Sequence, residues 1–161
     1  MPKPHFLPDG YRTAMPYLIV HDAEGALAFY KQVFGATERL RFEHQGKIGH
    51  AEILVGDSPI MLADEYPAMD IRGPLAIGGT PVSVMLYVED VDATVTKAVD
   101  AGAHLQRPIE DKFYGDRVGS IVDPYGHVWH VGTHVEDVSS EEMERRAAAM
   151  DKASGDKAKI G

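Results

Sequence analysis

Three side chains in this sequence are equipped to move protons. His50 and Glu52 stand two residues apart in the run His50-Ala51-Glu52-Ile53-Leu54-Val55. On a strand, residues i and i+2 share a face, so imidazole and carboxylate are expected side by side, as a general base requires. The third is His130, which ends the run Asp123-Pro124-Tyr125-Gly126-His127-Val128-Trp129-His130. His130 with Glu52 is a candidate acid/base pair. His50, Glu52 and His130 together are a two-histidine, one-carboxylate set of the type that holds zinc or non-haem iron. The plainer reading of His50 and Glu52 is a buried hydrogen bond or a solvated edge, and no ligand spacing favours convergence with His130. Tyr114 and Arg117 flank Gly115-Asp116, and are candidates to clamp an anionic or planar compound. The alternative for Arg117 is a local pair with Asp116 or Asp123.

The elements that must position these groups are legible from turn chemistry and periodicity. Asp-Pro followed by Tyr-Gly is a tight turn, since proline presets φ and glycine accepts φ > 0. Val118 to Val122 before it and His127 to Val131 after it read as strands, so Val128 and His130 face one way and His127, Trp129 and Val131 the other. Upstream, Met15 to Val20 is a strand. Asp22 caps a helix from Ala23 to Phe34, with Leu27, Tyr30 and Phe34 on one apolar stripe and Gly35 as its stop. Strands Thr37 to Glu43, His50 to Val55 and Pro59 to Ala63 follow. Residues 65–80 form a connector. The pattern then restarts: strand Val82 to Val88, Asp90 capping a helix with Val91, Val95, Ala98 and Val99, Gly102 ending it, then strands His104 to Ile109, Arg117 to Val122 and His127 to Val131.

The unit is thus βαβββ, used twice. Val20-His21-Asp22 matches Val88-Glu89-Asp90 at an offset of 68, Gly35-Ala36 matches Gly102-Ala103 at 67, and Gly49 matches Gly119 at 70. Strand, cap and stop staying in register is the signature of an internal repeat. Ser139 and Glu142 form a capping box opening a helix whose stripe, Met143, Ala147 and Met150, is too narrow to stand alone and must dock on this subunit or a neighbour. The organisation expected is an arm over residues 1–13, a domain over 14–133 with modules 14–65 and 81–133, a tail and helix over 134–152, and a disordered tail over 153–161.

Composition narrows the function. The chain has 161 residues, 44% of them hydrophobic and 25% charged, an ordinary globular profile. A net charge of −9 argues against nucleic acid and anionic membrane as partners. With no cysteine there is neither a disulfide framework nor a thiolate site. No apolar run reaches the ~20 residues of a membrane span, and Met1-Pro2-Lys3-Pro4-His5 opens without an apolar signal core, so a cytoplasmic protein is expected.

Duplicated βαβββ modules ending in Asp-Pro-x-Gly-His resemble the vicinal oxygen chelate superfamily of glyoxalase I, bleomycin-resistance proteins and extradiol dioxygenases. Lys112 to Arg117, the Asp-Pro-Tyr-Gly-His turn and Thr133-His134-Val135-Glu136-Asp137 look like its PhnB-like subgroup. The resemblance implies an α+β fold in which curled half-barrel sheets enclose a cavity, and a homodimer. It also implies a metal site drawn from the first and fourth strands of each module. Those positions fall on Met15, Met61, Ser83 and His130, and only His130 is a competent ligand; thioether and hydroxyl are poor ligands for a hard divalent ion. No cofactor is therefore expected, the alternative being zinc, iron or nickel at a displaced site. The implied cavity wall includes Met15, Tyr17, Met61, Ser83, Met85, Tyr87 and His130, an apolar lining with few polar groups that suits a small-molecule ligand. Two functions follow: a protein that sequesters or acts on a small aromatic or drug-like compound, or a lyase, isomerase or dioxygenase.

Overall fold

The computed structural model describes residues 1–158. Strand β1 (Tyr17–Val20), helix α1 (Ala23–Phe34) and strands β2 (Thr37–His44), β3 (Lys47–Val55) and β4 (Ser58–Asp64) make the first module. A 3-10 turn (Pro67–Met69) and a short helix α2 (Pro74–Ile77) form the connector. The second module is β5 (Ser83–Tyr87), α3 (Val91–Asp100), β6 (His104–Asp111), β7 (Asp116–Val122) and β8 (Val128–His134), and α4 (Ser140–Ala158) closes the chain. Each module is an open four-stranded mixed sheet, ordered β1-β4-β3-β2 and β5-β8-β7-β6. The α+β architecture of paired βαβββ half-barrels is as the sequence implies.

Both helices start where their caps dictate. Asp22 accepts from the Gly25 N–H at 2.9 Å and Asp90 from the Ala93 N–H at 3.0 Å. Gly35 takes φ 67°, the left-handed conformation that ends α1. Helix α1 buries Ala26, Leu27, Tyr30 and Val33 against Ile53 and Leu62, while α3 buries Val91, Val95 and Ala98 in the same core as Ile121 and Val131. Alternation on the strands does the rest: one face of each sheet meets the helices and the other is left open.

The Asp123–His127 turn joins the modules. Asp123 is buried, and its carboxylate accepts from the Tyr30 hydroxyl (2.6 Å), the Trp129 indole (2.9 Å) and the N–H groups of Tyr125 (2.9 Å) and His127 (3.0 Å). Burial together with that carboxylate pushes the Tyr30 hydroxyl well above its ordinary pKa. Trp129 is fully buried and packs on Phe34 at 4.7 Å between ring centroids. His127 bonds the Ile19 carbonyl at 2.8 Å. Tyr30, Phe34 and Ile19 belong to the first module, so this turn is a structural joint.

Three expectations change. The third strands repeat at a different offset: Ala51 pairs with Leu62 and Gly119 with Val131, which makes Gly119 the counterpart of Ala51 and not of Gly49. The two glycines answer different needs. A Cβ at Gly119 would lie 2.8 Å from Ile109, whereas at Gly49 it would meet only a carbonyl at 4.0 Å. The first strand begins at Tyr17, leaving Met15 outside it. Helix α4 continues past residue 152 to Ala158, so residues 153–158 are helical and not a disordered tail. Residues 159–161 of that expected tail lie outside the described residues. Helix α4 is tied down within the subunit by Arg146, which reaches Glu136 at 2.8 Å and the Phe113 carbonyl at 3.1 Å. Among the described residues no helix is long and apolar enough to cross a membrane.

Candidate functional site

On the open face of the first sheet a chain of polar side chains runs from the N-terminal arm to β1. Tyr11 donates to both oxygens of Glu52 at 2.9 Å. His50 Nε2 lies 3.0 Å from Glu52 Oε1, and His50 Nδ1 lies 2.8 Å from the Tyr17 hydroxyl. Glu52 is buried, which pushes its carboxyl up, but hydrogen bonds from His50 and Tyr11 outweigh burial and hold it below the usual carboxylate range. An ionised carboxylate only accepts, so the proton of a neutral His50 sits on Nε2 and Nδ1 is left to accept from Tyr17. Burial and the Glu52 charge raise the Tyr17 hydroxyl, keeping it protonated. The Arg39 guanidinium lies over the Tyr11 ring and donates to the Gly10 carbonyl, fastening the arm to this face.

The second sheet carries a different set. His130 Nδ1 lies 2.6 Å from the Ser120 hydroxyl. Nearer the end of β8, Asp116 accepts from the Tyr87 hydroxyl at 2.6 Å and contacts His134 Nδ1 at 2.7 Å, while His134 Nε2 reaches Asp137 at 2.7 Å. Burial pushes Asp116 up, yet Tyr87 and His134 hold it below its ordinary value. Asp116 and then Asp137 raise His134.

The predicted residues divide between these places. Met61 is the cross-strand partner of both Tyr17 and Glu52, and Met85 is the partner of His130. Ser83 is exposed and stands opposite Val128. Met15, Met85 and Tyr87 meet on a groove of about 1330 Å³ between the modules, along the free edge of β5. Tyr17 instead borders a cavity of about 460 Å³ made by the first module and the connector. Tyr114, partly exposed, packs edge-on against Phe113.

Two candidate roles do not survive. Arg117 is no clamp: its guanidinium forks onto Asp92 of α3 at 2.8 and 2.9 Å and reaches Asp111 at 3.2 Å. Its register partner is Thr133, whose hydroxyl accepts from the Val91 N–H at the start of α3, so Arg117 shares the helix side of the sheet. Asp116 and Asp123, the alternative partners, are taken by other donors. Nor do His50, Glu52 and His130 converge, for they lie on separate sheets, and among the described residues no three His, Asp or Glu side chains are placed to hold a metal ion. His130 and Glu52 are likewise separate, each with its own partner.

Two βαβββ modules, joined by the Asp123–His127 turn and each with one open sheet face, are matched by one family model, Glyoxalase/Bleomycin resistance protein/Dioxygenase superfamily, over residues 5–131. The chain belongs to that superfamily. Mb0911c of Mycobacterium bovis is 39% identical over 133 residues, covering 80% of this chain and 88% of that protein. The crystal structure of TioX from Micromonospora sp. ML1 matches with a TM-score of 0.59 at 28% identity, over 76% of this chain and 99% of TioX. A PhnB protein from Bacillus cereus shares the fold, with a TM-score of 0.60 at 18% identity over 76% of this chain and 99% of its own.

The metal positions that superfamily membership implies do not fit a divalent ion here. Met15 and Met61 offer thioethers, Ser83 is turned to solvent opposite a valine, and one nitrogen of His130 is engaged by Ser120. Sequence reasoning missed Tyr11, Ser120, Asp116 and His134. Ser120 was findable, because the hairpin register set by the Asp-Pro-Tyr-Gly turn places it directly across from His130. Tyr11 was not, because nothing local to the arm shows that it folds back onto Glu52.

Proposed function

We propose that this superfamily member is a cytoplasmic homodimer that binds a small aromatic or drug-like molecule, without the metal its relatives' fold would accommodate. One observation carries the reading: the faces that a half-barrel normally closes are open in a single chain. Tyr17, Met85 and Tyr87 are 48%, 44% and 60% exposed. Exposed apolar side chains beside polar groups mark a ligand or partner surface. The outer edges of β1 and β5 are unpaired as well, a second reason for a copy of this chain to cover them. Methionine and tyrosine suit an adaptable aromatic pocket. The PhnB-like motifs of the 112–117 loop and the 133–137 tail support the finer grouping.

Sedimentation, combined with titration of anilinonaphthalene sulfonate followed by its fluorescence, tests this. A dimer at tens of micromolar with saturable dye binding, weakened by Met85→Ala and Tyr87→Ala, is expected. A monomer without saturable binding overturns it. The second reading, an isomerase or related enzyme of the superfamily, is favoured by one observation, the buried Glu52 bonded to His50, which in turn meets Tyr17 at the border of a cavity.

A further inference from the structure

We propose that Glu52, His50 and Tyr17 form a metal-free proton relay, and that the first module's cavity takes a planar, unsaturated carboxylic acid whose carbon-bound proton Tyr17 removes and returns. The inference rests on the small-molecule reading above and adds a reaction to it. It also moves the chemistry away from His130.

The relay is carbonyl-free and continuous. The contacts are Glu52 to His50 Nε2 at 3.0 Å and His50 Nδ1 to the Tyr17 hydroxyl at 2.8 Å. Tyr17 also lines the 460 Å³ cavity, so the residue whose hydroxyl meets His50 borders the cavity as well. Tyr11 braces Glu52 from the other side, which fixes the carboxylate while leaving the His50–Tyr17 end free. The rest of the cavity sets the ligand class. Ile19, Tyr66 and Ile71 provide apolar and aromatic walls. Lys47 stands on the lining and forms no ion pair among the described residues, while Asp64 accepts the N–H groups of Ala23 and Ile48, and one oxygen of Glu65 accepts that of Gly73. An unsaturated ring system suits the apolar walls, and Lys47 is the lysine on the lining that can pair with its carboxylate.

The step balances without a co-reactant. The phenol oxygen takes a proton from carbon α to a carbonyl as its own proton passes to His50 Nδ1. The electron pair of the broken C–H bond moves into the enolate, and Glu52 stabilises the imidazolium. Reversal delivers the proton to carbon or oxygen, giving tautomerisation or isomerisation.

Phenylpyruvate is a suitable probe, having a planar enol, a carboxylate and an acidic benzylic C–H. Its benzylic proton signal is followed by proton NMR in deuterium oxide, with and without the full chain, while shifts of the Tyr17 and Tyr66 ring signals report binding. The wild type is expected to accelerate exchange over buffer, and Tyr17→Phe to slow it by about 10²-fold or to the buffer rate with binding retained. Glu52→Gln should move the pH profile of exchange as well as its rate, a readout that loss of packing alone leaves in place. Binding with exchange at the buffer rate, or equal exchange by wild type and Tyr17→Phe, overturns the relay and leaves the ligand site standing. Absence of ring-signal shifts at millimolar phenylpyruvate, in a protein that still binds the dye, overturns this ligand class and the relay but not the general binding reading.

Discussion

The two modules use one row of the sheet in two ways. Across the first sheet the register aligns Tyr17, Met61, Glu52 and Leu40; across the second it aligns Met85, His130, Ser120 and Arg107. The acid of the first row stands where the second has a serine, and the imidazole of the second stands where the first has a methionine. In the first module the carboxylate is buried and bonded to Tyr11 and His50. In the second the buried carboxylate, Asp116, lies off the row, beside a half-exposed histidine. Duplication therefore keeps the helix caps and the helix-side core alike in the two modules, while the side chains of the open face differ.

Removing what the modules share gives the largest effect. Asp123→Ala strands the Tyr30 hydroxyl, the Trp129 indole and two backbone N–H groups, and each buried donor left without an acceptor costs ~1–3 kcal/mol, so a total loss of at least about 4 kcal/mol is expected in urea unfolding. A single transition shifted as a unit means the joint couples the modules. Two separated transitions would show that they fold independently.

The next test sets the two buried acids against each other. Glu52→Ala leaves Tyr11 and His50 without their acceptor and is expected to cost about 2 kcal/mol. Asp116→Ala frees Tyr87 and His134, both exposed enough for water to take over, and is expected to cost about 1 kcal/mol or less. Equal costs, measured by thermal or urea unfolding, would erase the contrast between the modules.

Acid and base separate them further. Glu52 and Asp116 are held below their unfolded values, so each contributes stability above the unfolded value, about 4 for a carboxylate, that is lost as pH falls through the folded one. His134 is held above its unfolded value of ~6.5 by Asp116 and Asp137, so its contribution is fully present below that value and is lost as pH rises through the folded pKa. A small alkaline-side loss in the second module, absent from His134→Gln, is expected in melting curves taken across neutral pH. The smallest effect belongs to Arg117→Gln: dye affinity should be unchanged, because the side chain serves α3 and not the open face. A clear loss of affinity would return Arg117 to the site.

Local chemistry made the scaffold legible. Asp22 and Asp90 announce helix starts, Asp-Pro-Tyr-Gly announces a hairpin, and alternation assigns Trp129 inward and His130 outward; all of these depend on neighbours within a few residues. The i, i+2 spacing likewise puts His50 beside Glu52, and the observed 3.0 Å contact is the plain hydrogen bond that spacing allows. What adjacency in sequence does not encode is which distant group arrives. Tyr11 comes to Glu52 from 41 residues away, Tyr30 to Asp123 from 93, and Asp92 draws Arg117 to the helix side across 25. Turn, cap and strand preferences are short-range energies that single residues carry. The partners of a buried charge are decided only when the whole chain closes around it, because burial makes each such charge bind whatever donors the packed modules bring within reach.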